Sequence, residues 1–365
     1  MRILVASDKW KGSLSAPAAC AAMRCGLKVL WPEAEILERP IADGGEGTAE
    51  ALAAACAGRW MTATVTGPLG DPVLAGYALL PDGTAVIEMA AAAGLVLTNG
   101  RLDPWQATTR GVGELMLDAV ARGARRLIIG LGGSATNDAG AGLAAALGWE
   151  FEALPIASHV VAPPAVLWTV ETLAACDVTN PLLGPRGCTR VFGPQKGVRE
   201  EDFSAFEQAL SSLASFFPTE IAVTPGAGAA GGLGFGLMAF CGARLVSGFG
   251  IVSELLKLEE SVAAADLIVT GEGSLDEQTL NGKGPHGVAE LAQRHGRPVV
   301  AIGGRVTEAA QAAFTCTVAA SPPDMPLDEA MRRAPELIEA AIIRAAPALR
   351  HLMGGCWLGV MSDAG

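Results

Sequence analysis

Apolar and polar positions along the chain change period several times, and each change marks an element. Residues 1–7 form a short apolar run that reads as a first strand. Ser15 stands where it can cap a helix that holds Pro17 in its first turn and ends before Pro32. Residues 35–41 read as a second strand and 46–57 as a helix with Gly58 at C′. Then the texture shifts. Residues 61–66, 76–80 and 85–89 are short runs separated by Gly70-Asp71-Pro72 and Pro81-Asp82-Gly83, which suggest antiparallel strands. An amphipathic helix over 109–123 leads into a strand at 126–130, a glycine-rich loop and a helix at 139–147, and residues 151–166 read as irregular. The last third alternates again: strands at 266–270, 298–303 and 316–320, a helix at 285–295 closed by Gly296, and one long helical stretch over 327–350.

This alternation predicts an α/β protein of two domains. Residues 1–60 plus 241–365 would form a doubly wound, Rossmann- or flavodoxin-like parallel-sheet domain, with a mixed α/β domain, 61–240, inserted in it. A cleft between the two is the expected ligand site. The length of 365 residues suits two cores.

Composition narrows the function. Half the residues are hydrophobic, much of that alanine, but Gly, Pro or charge interrupts every long apolar stretch, so no membrane partner is expected. The formal net charge of −12, with no Lys/Arg-rich run, argues against nucleic acid. An anionic ligand would have to be held locally, by backbone N–H groups, a few cations or a divalent metal. The eight cysteines are scattered without CxxC or zinc spacing, and residues 1–11 do not read as a signal peptide, so a cytoplasmic location is expected. His159, His286, His295 and His351 make no metal pair and no GxSxG is present, which removes a serine hydrolase.

Several glycine-rich words could carry chemistry. Gly130-Leu131-Gly132-Gly133-Ser134-Ala135-Thr136-Asn137-Asp138 lies between a strand and an alanine-rich helix. Gly130, Gly132, Gly133, Ser134 and Asn137 are candidates to cradle a nucleotide, since glycine admits close backbone approach and a helix N-terminus offers N–H groups to anions. A tight structural turn is the competing reading. This loop matches GxGxxA, and Gly226–Gly231 matches GxGxxG, but no acidic ribose partner follows at the right place. No Walker A motif is present. Asp43-Gly44-Gly45-Glu46 opens a helix after a strand: Asp43 is either a carboxylate held near metal or substrate or an N-cap. Glu272 and Asp276, in Thr270-Gly271-Glu272-Gly273-Ser274-Leu275-Asp276, precede Lys283 on one glycine-rich loop, a pattern suited to phosphoryl transfer. Asp177 and Asn180, then Gln195 and Lys196, are candidates for metal, substrate or phosphate, as are Asp8, Lys9, Lys11 and Ser13 after the first strand.

Together these words resemble the type I glycerate kinases across nearly the whole chain and in the same order. The resemblance rests on 11–16, 42–48, 86–90, 108–114, 130–138, 176–184, 192–197, 225–236 and 270–287. It implies ATP as donor, Mg²⁺ as helper and D-glycerate as acceptor, usually giving 2-phosphoglycerate. The chain departs from the family in two places. Ser7-Asp8-Lys9-Trp10-Lys11 stands where a Pro-Asp-Ser-Phe-Lys stretch is usual, and residues 151–170 look shortened and rewritten.

The roles expected are Asp276 or Asp138 for orienting or deprotonating the hydroxyl, with Lys283 assisting; Asp8, Lys11, Ser13, Asn180, Gln195 and Lys196 for substrate; and Asp43, Glu272 and Asp177 for Mg²⁺. Monomer and homodimer are both compatible with the sequence. The alternatives are an NAD-dependent dehydrogenase of a small hydroxy acid and a non-catalytic sensor of a phosphorylated acid.

Overall fold

A computed structural model describes residues 1–152, 155–163, 170–280 and 284–357. The described strands, in chain order, are β1 (Arg2–Ser7), β2 (Glu35–Glu38), β3 (Arg59–Thr66), β4 (Pro72–Leu79), β5 (Thr84–Glu88), β6 (Arg126–Gly130), β7 (Glu150–Glu152), β8 (His159–Val161), β9 (Glu171–Ala175), β10 (Arg244–Val246), β11 (Leu267–Leu275), β12 (Val299–Val306) and β13 (Cys316–Ala319). The chain folds as two compact units. One comprises Met1–Asp43, Glu50–Cys56 and Val252–Gly365, the other Gly44–Ala49 and Ala57–Ile251.

The first unit is a parallel sheet in the order β13-β12-β11-β1-β2. Every pairing is parallel. Its order therefore reverses between β1 and β11, as in flavodoxin-like sheets. Fully apolar strands such as Ile3, Leu4 and Val5 are buried because helices cover the sheet. The helix Ala16–Leu30 packs Met23 and Leu27 against Ile338 and Ile342 of the helix Ala334–Arg344. Ser15 sits at its N-cap without a side-chain hydrogen bond.

The second unit holds a six-stranded mixed sheet, β10-β9-β6-β5-β4-β3. The meander β3-β4-β5 is antiparallel, whereas β5, β6, β9 and β10 run parallel. The strand β10 belongs to this sheet through its pairing with β9. Tyr77, Ile87, Leu115, Leu127 and Leu237 lie in its core.

Four local expectations need correction. The stretch at 327–350 is three helices, Leu327–Arg332, Ala334–Arg344 and Ala346–Trp357. Pro335 and Pro347 lack the N–H that an uninterrupted helix needs, and each falls in the first turn of a new one. The segment read as irregular contains the antiparallel pair β7-β8; 153–154 and 164–169 lie outside the described residues. Ala57, not Gly58, takes the left-handed conformation after the helix Thr48–Ala55, with φ 52°. The strand expected at 266–270 continues to Leu275, because pairing with β12 extends to Leu275 opposite Val306. A methyl on Gly271 would strike the Ile302 carbonyl, so glycine here serves close strand approach.

Candidate functional site

The parallel-sheet unit gathers one group of candidates at the C-terminal ends of β1, β11 and β12, where its order reverses and ligands of such sheets collect. The Asp8 N–H donates to the Gly271 carbonyl at 2.9 Å, setting Asp8 beside Glu272. Beyond β2 the chain stays along β1, with the Arg39 and Ile41 N–H groups donating to Val5 and Ser7 carbonyls at 2.8 and 3.0 Å. That path delivers Asp43 to the same end of the sheet. Asp8 is 6% exposed, and its Oδ1 accepts the Lys9 N–H at 2.6 Å. Burial, then the like charges of Asp43 and Glu272, push the Asp8 carboxyl up to about 7 against the pull of Lys9.

Glu272, expected in a loop, is buried within β11. The Thr279 hydroxyl donates to its Oε1 at 2.7 Å and accepts the Asp276 N–H at 3.0 Å. Asp276 in turn accepts from the Ser274 hydroxyl (3.0 Å) and the Gln278 N–H (2.8 Å), so residues 272–279 fix one another. Lys283 lies outside the described residues. A cavity of about 480 Å³ opens here, lined by Lys9, Trp10, Lys11, Glu272, Asp276 and Arg305. Trp10 is buried, and its Nε1 has no hydrogen-bond partner among the described residues. Ser13 also lines the cavity, but its hydroxyl proton goes to the Met331 carbonyl at 2.6 Å, leaving only acceptor capacity for a substrate. Arg305 was missed by sequence reasoning. Its signal was position alone: it follows Gly303-Gly304 and pairs with Ser274 in register.

Among the described residues, no group of three His, Cys, Asp or Glu is arranged to hold a metal ion. Mg²⁺ asks less of a protein in phosphoryl transfer, namely one or two carboxylates with phosphates and water completing the shell. One or two of the carboxylates Asp8, Asp43 and Glu272 would meet that requirement, and a cation there would relieve the repulsion that adds to burial in raising Asp8. Asp177 belongs to the other unit. Its Oδ1 accepts the Gly248 N–H (2.9 Å) and the Ser247 hydroxyl (3.2 Å) at the start of the helix Gly248–Leu255.

In the second unit, the loop after β6 is braced from within. Lys196 is 2% exposed, and its Nζ donates to Ser134 Oγ at 3.1 Å and to the Thr136 carbonyl at 2.6 Å. Burial lowers its pKa to about 8, against the pull of Cys188 and Asp138. The Asn137 Nδ2 donates to Thr189 Oγ1 at 3.0 Å, while its buried Oδ1 has no partner among the described residues. Asp138 accepts four hydrogen bonds, from Thr109 N (2.9 Å), Thr109 Oγ1 (2.8 Å), Gly140 N (3.1 Å) and Gly142 N (3.2 Å). Burial pushes its carboxyl up, and those bonds pull it down. The N–H groups expected to await an anion at the following helix, Ala141–Ala146, are thus already met, those of Ala141 and Gly142 by Asp138 and that of Leu143 by Thr109.

The glycines of this unit serve packing first. A methyl on Gly130 would strike the Gly44 carbonyl, and one on Gly132 would press on Gly45. Gly133, at φ +75°, turns the loop. In the second glycine block, Gly228 and Gly231 abut the Pro181 and Thr136 carbonyls, which explains the GxGxxG pattern without a dinucleotide. Asn180 holds that block, its carbonyl accepting from Gly226 and Gly228 and its Nδ2 donating to Arg186 at 2.8 Å. Gln195 is exposed.

The chain resembles known proteins over almost its full length. Residues 3–350 match the model of the glycerate kinase family. A glycerate kinase of Bacillus subtilis (strain 168) is 42% identical, covering 93% of this chain and 95% of that one. A glycerate 2-kinase of Escherichia coli (strain K12) is 44% identical over 84% of this chain and 86% of its own. A crystal structure assigned to a glycerate kinase 2 of Salmonella typhimurium LT2 aligns with TM-score 0.86 at 40% identity, covering 96% of this chain and 98% of that one.

Proposed function

The chain belongs to the glycerate kinase family and is an enzyme, a kinase, and on that premise we propose that it transfers the terminal phosphoryl group of ATP to D-glycerate, giving 2-phosphoglycerate. The observation that carries the acceptor assignment is the cavity of the parallel-sheet unit. Three cationic residues, Lys9, Lys11 and Arg305, line it together with the unpartnered Nε1–H of Trp10. Cations and an N–H donor gathered in one cavity suit a small carboxylate in a protein whose net charge of −12 otherwise repels anions. The choice of the 2-hydroxyl follows the name of the E. coli relative, and work in the cytoplasm is part of the same proposal.

In this reading, Lys9, Lys11 and Arg305 hold the acceptor's carboxylate, and Trp10 Nε1 adds one directed hydrogen bond. Asp276, held by Ser274 and Gln278, orients the glycerate hydroxyl and accepts its proton. Asp43 and Glu272 would hold Mg²⁺, which neutralises phosphate charge when bound. Loop 130–137 of the second unit receives the donor, and Lys196 keeps that loop rigid rather than touching phosphate. The test is to incubate the protein with Mg-ATP and D-glycerate and to identify the product by phosphorus NMR. A single 2-phosphoglycerate resonance with matching ADP release, abolished by EDTA, is expected. Turnover of NAD with glycerate, or tight acid binding without ADP release, would replace this reading with a dehydrogenase or a sensor.

A further inference from the structure

The second unit contains a cavity of about 470 Å³ that no catalytic role yet explains. One of its walls is aromatic: Trp105 and Phe206, whose rings stack with centroids 3.7 Å apart and planes 20° apart. Ala141, Ala209 and Leu210 extend the apolar lining. Charged groups on its rim are already engaged. Arg110 Nε donates to Glu114 at 3.0 Å, and Asp138 accepts its four hydrogen bonds. Asn137, also in the lining, is 3% exposed and keeps one acceptor, Oδ1, with no donor among the described residues. A buried acceptor left bare is uncommon and calls for an explanation.

We infer that this cavity is the subsite for the donor's base, a 6-aminopurine, lying along the Trp105–Phe206 wall with its exocyclic amine donating to Asn137 Oδ1. The inference rests on the reading that ATP is the donor. Three features select the ligand. Stacked aromatics favour a planar ring. A lining whose charges are satisfied favours a neutral one. The bare acceptor favours a base that offers N–H at that edge over one that offers C=O. The placement also agrees with the chain path, since Asn137 ends the loop assigned to the nucleotide.

The test compares ATP, inosine triphosphate and purine riboside triphosphate as donors, measuring kcat/KM with glycerate saturating. The wild-type protein is expected to favour ATP over both by at least about tenfold, because a site built to take a hydrogen bond rejects analogues that lack the donor. Asn137→Ala is expected to bring the three within about threefold of one another. Because Asn137 is buried, Trp105→Ala provides an independent arm at a half-exposed position. It is expected to raise KM for all three nucleotides about tenfold while leaving KM for glycerate within twofold. Equal use of the three donors by the wild type, a preference for inosine triphosphate, or an unchanged nucleotide KM in Trp105→Ala would each overturn the subsite. If ATP supports no phosphorylation at all, it is the donor assignment that fails. If ATP works and the variants behave as wild type, only the subsite fails.

Discussion

Lys196 carries an ammonium group into a place with almost no water, and its two hydrogen-bond partners, the Ser134 hydroxyl and the Thr136 carbonyl, are neutral. Burial lowers its pKa from 10.5 to about 8. Between those values the unfolded chain binds more protons than the native one, so this residue's contribution to stability rises with pH. Below about pH 8 both states are charged and the full desolvation cost is present; above 10.5 it has gone. The cysteines Cys20 and Cys188, raised to about 12 and 11, act in the opposite direction as pH climbs past the free thiol range. Carrying Cys188→Ala in both proteins removes the charge coupling of Cys188 to Lys196, and comparing the wild type with Lys196→Met on that background cancels Cys20. The difference in unfolding free energy between the two proteins should shift toward the wild type by on the order of 3 kcal/mol from pH 7.5 to 10.5. Urea midpoints across that range measure it. A difference independent of pH would mean that Nζ is already neutral or better solvated than its surroundings imply.

At the scale of elements, two aspartates that look alike in sequence have separate tasks. Asp138 joins the starts of two helices: it takes the Thr109 N–H before Arg110–Ala121 and the Gly142 N–H within Ala141–Ala146, while Thr109 Oγ1 also accepts the Leu143 N–H at 2.9 Å. Asp276 closes one surface loop and lines a cavity. Asp138→Asn can keep an oxygen where Oδ2 accepts three of the four bonds, but its NH₂ then faces the Gly140 N–H, and this should cost roughly 1–3 kcal/mol of stability. Asp276→Asn should leave the denaturation midpoint within about 0.5 kcal/mol of wild type and lower kcat at least about tenfold, roughly 1.4 kcal/mol of barrier. Midpoint and turnover measured on both variants separate the roles; equal destabilisation would remove Asp276 from catalysis. Sequence periodicity made the strands readable, because burial on one or both faces leaves a pattern. It could not separate these aspartates, since hydrogen bonds to Thr109 and Gly142 arise only after the helices dock. Glu272 was misplaced for a related reason: glycines at 271 and 273 look like a loop, yet Gly271 lies inside β11 and lets it approach β12. Trp105 and Phe206 left no signal, because each reads alone as an ordinary apolar position until folding stacks them.

For the molecule as a whole, topology decides where an anion can be held. The first sheet reverses its order between β1 and β11, and the divergence of the connections there leaves an opening at the strand ends. The second sheet continues without such a reversal through β5, β6, β9 and β10, and its cavity forms instead against helices. Arg305 reaches the first opening from the end of β12, a placement that depends on strand order and on no local motif. With a net charge of −12, no long-range field compensates for a lost cation. Arg305→Gln should therefore raise KM for glycerate about ten- to hundredfold, about 1.4–2.8 kcal/mol of binding, with KM for ATP within twofold. Steady-state kinetics with each substrate varied in turn gives both constants. The opposite split, a raised KM for ATP beside an unchanged one for glycerate, would mean that the cations of the parallel-sheet unit hold the donor's phosphates, and the acceptor would then have to be sought elsewhere in the fold.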